Sequence, residues 1–312
     1  MGMSYIPISL FILRPNKLQN FQVYIKRGKN FVLLTNQKER FTFDLKLKLT
    51  NHNIHTVYIP DQDIINYDNY LYNNLGNILN DDEVPLDVKC EIFYESVTDL
   101  SHKLFTKKIP DPQNFKELLN TIENTINFIS SKDTINNISQ IISKDYYTYT
   151  HGINVFIYST YLLKHFGYNT RDIKHMGAGA FLHDIGKSQI PDEILNKPGR
   201  LNKKEWEIMK THPELGIKMC ESLDLETETL NIIYWHHEKK DGSGYPQGIR
   251  NLPQYSSIVT CCDIFDALTT SRVYASARTP FEALQLMQQK MNKELDILVL
   301  ESFIKFIGGV YS

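Results

Sequence analysis

Seven of the possible metal ligands stand out between residues 151 and 263: His151, His183, Asp184, His212, His236, His237 and Asp263. A histidine taken alone is more often a satisfied core or surface residue than a ligand. Two adjacent pairs, His183–Asp184 and His236–His237, both fall at predicted helix ends and shift the balance towards a metal site. Histidine with carboxylate suits Fe, Mn, Zn or Ni, and the lack of any CxxC pair argues against a structural thiolate zinc site. An aspartate offers two oxygens and can bridge two cations, a job for which Asp184 is the natural candidate. Directly after the histidine pair comes Asp241-Gly-Ser-Gly-Tyr-Pro246. Gly242 and Gly244 open backbone conformations closed to other residues and Pro246 stiffens the exit, so the loop could bring amides or the Tyr245 hydroxyl to a ligand. Its plain alternative is a tight turn between helices.

The elements that must hold these residues are helices. After Pro112 apolar residues recur at three- and four-residue spacing, which predicts helices over 115–142, 145–166, 171–184, 203–223 and 226–237. Further helices are expected over 255–270, 280–290 and 293–306, with Thr279 as N-cap and Pro280 in a first turn. Helical domains commonly build metal sites from inward-facing side chains on several helices. The first hundred residues differ. FQVYIKRG, NFVLLT, ERFTFDLK and HTVYIP are short, aromatic and β-branched, and 41–49 alternates apolar with polar, which favours a strand there over a short helix at 45–53. Helices are expected at 61–79 and 84–105. The fold class expected is therefore mainly α: a helical bundle domain (115–312) preceded by a small α+β domain (1–106) of regulatory or dimerisation role. The proline-bearing stretch 107–114 reads as a linker. Asp61 and Asp63 read as a solvated helix start.

Composition narrows the class. The 312 residues are 42% hydrophobic and 22% charged with a formal charge of −2, which excludes a disordered chain, a collagen-like fibre and a coiled-coil rod. A pI near 6.6 gives no footprint of a nucleic-acid polymer binder, though it leaves room for a small nucleotide. No stretch is apolar for long enough to cross a bilayer, the start lacks a secretory signal, and Gly2 is a poor myristoylation candidate. None of Cys90, Cys220, Cys261 and Cys262 sits in a CxxC pair and adjacent Cys261 and Cys262 read as small core residues, so a disulfide framework is not expected and a cytoplasmic location is.

Four segments make a resemblance specific: Phe181-Leu-His-Asp-Ile-Gly-Lys187, Thr211-His-Pro-Glu-Leu-Gly216, His236-His-Glu-Lys-Lys-Asp-Gly-Ser-Gly-Tyr-Pro-Gln-Gly248 and Cys262-Asp-Ile-Phe-Asp-Ala-Leu-Thr269. In order, spacing and residue type they resemble the HD-GYP family of metal-dependent HD phosphohydrolases, from about Tyr146 to Tyr274. The resemblance implies a helical HD-type bundle around a binuclear centre and hydrolysis of cyclic di-GMP, a bacterial second messenger. By analogy one metal takes His151, His183, Asp184 and Asp263. The other takes His212, His236, His237 and a bridging Asp184. Iron is favoured, with Mn or Zn as alternatives. Asp184 and Lys187 are the expected catalytic residues. Lys187, Gly244, Tyr245 and Arg272 are the expected substrate contacts, Lys187 having a solvated lysine as its plain alternative. The loop around Tyr245 is also linked in the family to signalling-protein partners, and a homodimer is possible.

Two departures from the family pattern matter. Some members place a glutamate, which helps hold a third metal, where this chain has Tyr147, so two metals and a linear dinucleotide product are expected. After DALT the chain keeps Arg272 and Tyr274 but has Ala275 in place of a basic residue. The alternative reading is thus a low-activity or inactive domain serving as a cyclic dinucleotide receptor or scaffold. A mononucleotide phosphohydrolase is a third possibility, made less attractive by the GYP loop.

Overall fold

The computed structural model describes residues 4–105, 110–142, 150–270 and 277–310. Its backbone packs as two compact units, Met1–Phe93 and Tyr94–Ser312.

The N-terminal unit holds strands β1 (Tyr5–Ser9), β2 (Val23–Arg27) and β3 (Asn30–Thr35), helix α1 (Phe43–Asn51), strand β4 (Thr56–Pro60) and helix α2 (Ile64–Leu79). The sheet is antiparallel in the order β1-β4-β2-β3, with Tyr5 opposite Pro60 and Ser9 opposite Thr56. Ile8, Val23, Ile25, Val57 and Ile59 form its buried face, the period-2 pattern the sequence carries. Three strands fall where expected, and β1 is an addition. The strand expected at 41–49 is instead α1. Thr42 caps that helix by accepting the Leu45 amide at 3.2 Å, and Leu47 is 48% exposed, so the alternation there marks no buried sheet face. Asp63 is also not solvated. It is buried and accepts the Gln22 amide (2.9 Å) and the Gln37 side-chain amide (3.1 Å).

Helix α3 (Leu86–Phe105) runs across the division between the units, which therefore falls upstream of the stretch 107–114; residues 106–109 lie outside the described residues. The helical unit continues with α4 (Pro112–Ile129), α5 (Lys132–Ile142), α6 (Thr150–His165) and α7 (Thr170–Leu182). A 3-10 turn at Ile185–Gln189 leads to the short α8 (Asp192–Leu195), then α9 (Lys203–Met209), α10 (His212–Met219) and α11 (Thr227–Trp235). Helices α12 (Gln254–Thr269), α13 (Pro280–Lys290) and α14 (Ile297–Val310) complete it. Two long expected helices are each broken once. The span 115–142 is interrupted at Ser130–Ser131, and 203–223 is interrupted at Lys210–Thr211, where α10 restarts with Pro213 in its first turn, a position that needs no amide. At α13 the expected cap is present: Thr279 accepts the Glu282 amide, Glu282 reaches back, and Pro280 sits in the first turn.

Helix α6 packs on α7 and α12, and α7 packs on α11 and α4. Both α6 and α12 are buried on nearly every side, as central helices must be. Glycines allow the close approach. A Cβ at Gly179 of α7 would stand 2.9 Å from Ile232 of α11, and one at Gly152 of α6 would stand 3.0 Å from the Phe181 carbonyl. Among the described residues no helix is long and apolar enough to cross a membrane.

Candidate metal centre

The seven expected ligands come from α6, the ends of α7, α9 and α11, and α12. His183 follows the last residue of α7, His212 follows α9 at the start of α10, and His236 follows the last residue of α11. The last carbonyls of a helix have no amide partner within it. In each case Nδ1–H donates to the carbonyl three residues back: His183 to Ala180 (2.8 Å), His212 to Met209 (2.9 Å) and His236 to Ile233 (2.9 Å). This fixes the tautomer and leaves Nε2 as a lone-pair donor pointing away from the helix end. His151 is oriented differently. Its Nδ1 donates to Asp266 at 2.7 Å, and Asp266 is itself held by the Asn154 amide (2.8 Å) and the Thr270 hydroxyl (3.3 Å).

The Nε2 atoms converge in two pairs. His151 and His183 stand 3.3 Å apart and His212 and His236 stand 3.1 Å apart. With Nδ1 committed elsewhere these are no ordinary hydrogen bonds. Ligands about 2.1 Å from a shared cation lie about 3.0–3.4 Å from one another. Asp184 sits between the pairs. Its Oδ2 is 3.5 Å from His151 Nε2 and 3.4 Å from His183 Nε2, while its Oδ1 is 3.4 Å from His212 Nε2 and 3.7 Å from His236 Nε2. Asp263 closes the other side, with Oδ1 3.1 Å from His151 Nε2 and Oδ2 3.5 Å from His237 Nδ1. Asp184 with His212, His236 and His237 forms one group of ligand atoms within 4.8 Å, and His151 with His183 and Asp184 forms a second.

These residues fit divalent cations. Asp184 Oδ1 is buried with no hydrogen-bond partner, a costly state for a carboxylate oxygen unless a cation satisfies it. The charge states agree. Burial opposes ionisation of Asp184, but Lys187 and His183 outweigh it and hold the carboxyl well below its usual range. Asp263 is likewise held low, burial being outweighed by His151 and His237. Burial pushes His212 down to about 3 and holds His236 and His237 low, so these three are neutral, as ligands must be. Without a cation His151 is the exception. Burial opposes its charge, but Asp263 and Asp266 push it up to about 10, so metal must displace its proton.

Around the ligands, Lys187 Nζ donates to Asp184 Oδ2 at 2.6 Å while its side chain stays 28% exposed. The Tyr245 ring packs on His237 with centroids 4.7 Å apart and meets His212 edge-on at 6.3 Å. The Tyr245 amide donates to the His237 carbonyl at 3.2 Å. Gly244 is obligatory, since a Cβ there would lie 2.5 Å from the backbone of His237, Glu238 and Lys239. Arg272, Tyr274, Ala275 and Tyr147 lie outside the described residues.

Four supporting residues escaped the sequence. Asp266 sits one turn after Asp263 on α12, and that i, i+3 spacing was its available signal. Asn154, one turn after His151, anchors it. Glu238 is fully buried and accepts the amides of Gln247 (2.6 Å), Gly248 (3.0 Å) and Ile249 (3.1 Å), pinning the far end of the glycine loop. Gly186 lets the turn after Asp184 lie against α10, because a Cβ there would stand 2.0 Å from the His212 carbonyl.

A helical bundle carrying a divalent-metal site of histidines and aspartates defines the class. Residues 138–299 match the HD domain family, and the chain belongs to it. Among curated proteins it is similar to the cyclic di-GMP phosphodiesterase PA4108 of Pseudomonas aeruginosa, 31% identical over 53% of this chain and 41% of that one. It is also similar to a cyclic di-GMP phosphodiesterase of Thermotoga maritima, 35% identical over 52% of this chain and 45% of that one. A 3'3'-cGAMP-specific phosphodiesterase of Vibrio cholerae is 31% identical over 49% of this chain and 34% of its own length. The chain thus spans less than half the length of these relatives. In fold it resembles Bd1817, an HDG"Y"P protein from Bdellovibrio bacteriovorus, with a TM-score of 0.67, 19% identity, and 98% and 100% of the two chains covered.

Proposed function

We propose that this chain is a two-metal phosphodiesterase that cleaves cyclic di-GMP to the linear dinucleotide in the cytoplasm. The observation that carries the proposal is Asp184, whose two oxygens face the two histidine pairs separately. One cation would take His151, His183, Asp184 and Asp263, and the other His212, His236, His237 and Asp184. An all-histidine and carboxylate set favours iron, with Mn or Zn as alternatives. When bound, such cations draw charge from a phosphoryl group and ease deprotonation of an attacking water.

The chain's own groups supply the rest. Lys187 neutralises Asp184 and keeps a partly exposed side chain, so its ammonium could also meet a substrate phosphate. Tyr245 and Gly244 form a wall hard against His237, which limits how the ester can enter. Arg272 is assigned to a second phosphate contact. The named activities of the relatives, on cyclic di-GMP or 3'3'-cGAMP, support the substrate class. Cys220, Cys261 and Cys262 are free and buried, in keeping with a reducing compartment.

The test is to purify the chain without oxygen, incubate it with cyclic di-GMP or 3'3'-cGAMP, and separate the products. Conversion of cyclic di-GMP to linear dinucleotide, lost in Asp184→Ala, is expected. A metal-loaded protein that consumes neither ester would overturn the proposal.

A further inference from the structure

The groups gathered at the metal centre are suited to a cation or a phosphate, and none of them is suited to reading a base. A cyclic dinucleotide nevertheless carries two purines, each one ribose away from a phosphate. The Tyr245 ring has one side occupied by His237. Next along is Trp206, edge-to-face with Tyr245 at 6.0 Å and 78°. An edge-to-face pair uses at most one face of either ring, so at least one indole face is left by this contact. Trp206 is 45% exposed, and Ile208 on the same helix is 41% exposed.

The position of Trp206 is fixed from elsewhere. Helix α9 starts with a capping box between Asn202 and Glu205, and Lys197 Nζ holds both Glu205 oxygens at 2.6–2.7 Å. The same helix ends at Met209, whose carbonyl orients His212. One short helix therefore carries an open indole at its middle and, from its last residue, orients His212.

From this geometry we propose that Trp206 is a substrate-binding residue that stacks on a purine base of the cyclic dinucleotide. It sets affinity for the base-bearing ester, while the centre acts on the phosphate. This rests on the cyclic dinucleotide reading above and adds the base contact to it. Aromatic stacking tolerates any base, so guanine and adenine should both be accepted.

The experiment compares wild type, Trp206→Ala and Trp206→Phe as full chains with confirmed metal content. Cyclic di-GMP binding is followed by equilibrium dialysis and by tryptophan emission. Trp206→Ala should weaken binding about tenfold or more, the range expected for loss of one base–aromatic stack, and raise KM more than it lowers kcat. Trp206→Phe should recover most of the affinity. Wild type should show a saturable emission change that Trp206→Ala lacks. Equal dissociation constants in wild type and Trp206→Ala would overturn the assignment, even with turnover intact. Binding through Trp206 without turnover would instead sustain it and remove the proposed activity. No binding to any variant would remove both.

Discussion

Three histidines hang from the same local device. His183, His212 and His236 each stand just past a helix end and give Nδ1–H to the carbonyl three residues back, so their Nε2 atoms are aimed by backbone rather than by other side chains. His151 lies in the first turn of α6 and is oriented by Asp266 instead. Asp266→Ala should therefore leave the fold standing but free the His151 ring. We expect a 10–100-fold loss of metal affinity or activity, read by metal content after dialysis and by kcat, whereas unchanged loading would show that Asp266 is dispensable. All seven residues that converge were legible in the sequence, because the His-Asp and His-His pairs fall in a fixed order among the other motifs. Their supports were not: the i, i+3 spacing of Asp266 from Asp263 is a weak signal alone, and Glu238 acts on the amides of residues 247–249, a contact that exists only once the loop has folded.

At the scale of elements, the approach of turn to helix decides whether the two halves of the centre meet. The turn at Ile185–Gln189 touches α10 through Gly186, with no room for a side chain between it and the His212 carbonyl. Gly186→Ala must push backbone against backbone, which a flexible side chain cannot absorb. Thermal or denaturant unfolding should register about 2–3 kcal/mol of destabilisation, accompanied by lost metal. A variant as stable and as fully loaded as wild type would contradict this packing. Element types were readable where period and caps agreed, as at α13 with Thr279 and Pro280. They were not where a short amphipathic stretch fits both periods. Residues 41–49 alternate like a strand, yet the Thr42 cap and a single buried helical residue, Leu49, make a helix. Helix lengths were overread at Ser130 and Thr211 for the same reason, since apolar spacing continues across each break.

For the molecule as a whole, two kinds of stabilisation separate the units. The helical unit gathers two aspartates and five histidines at one point, and cations that bind only the folded arrangement stabilise it by mass action. Removing metal with a chelator should lower its thermal midpoint, by about 2.7 kcal/mol of stability if free metal stood at 100 times its Kd. Asp184→Ala should show no such response. The N-terminal unit relies on an ordinary ion pair between Arg14 and Asp81. Burial opposes the Asp81 charge, but the Glu83 amide and Arg14 outweigh it and hold the carboxyl below its usual range. Its folded pKa is thus lower than its unfolded value of about 3.9, so this stabilisation is present above about pH 4 and is lost as pH falls through the folded value. Asp81→Asn should flatten that part of the acid-unfolding curve; an unaltered curve would remove the pair from the account. The most direct test of the central claim is anomalous diffraction from crystals of the metal-loaded chain. The account predicts two peaks about 3.5–4 Å apart, one on each oxygen of Asp184. A single peak, or two peaks that do not share Asp184, would contradict it.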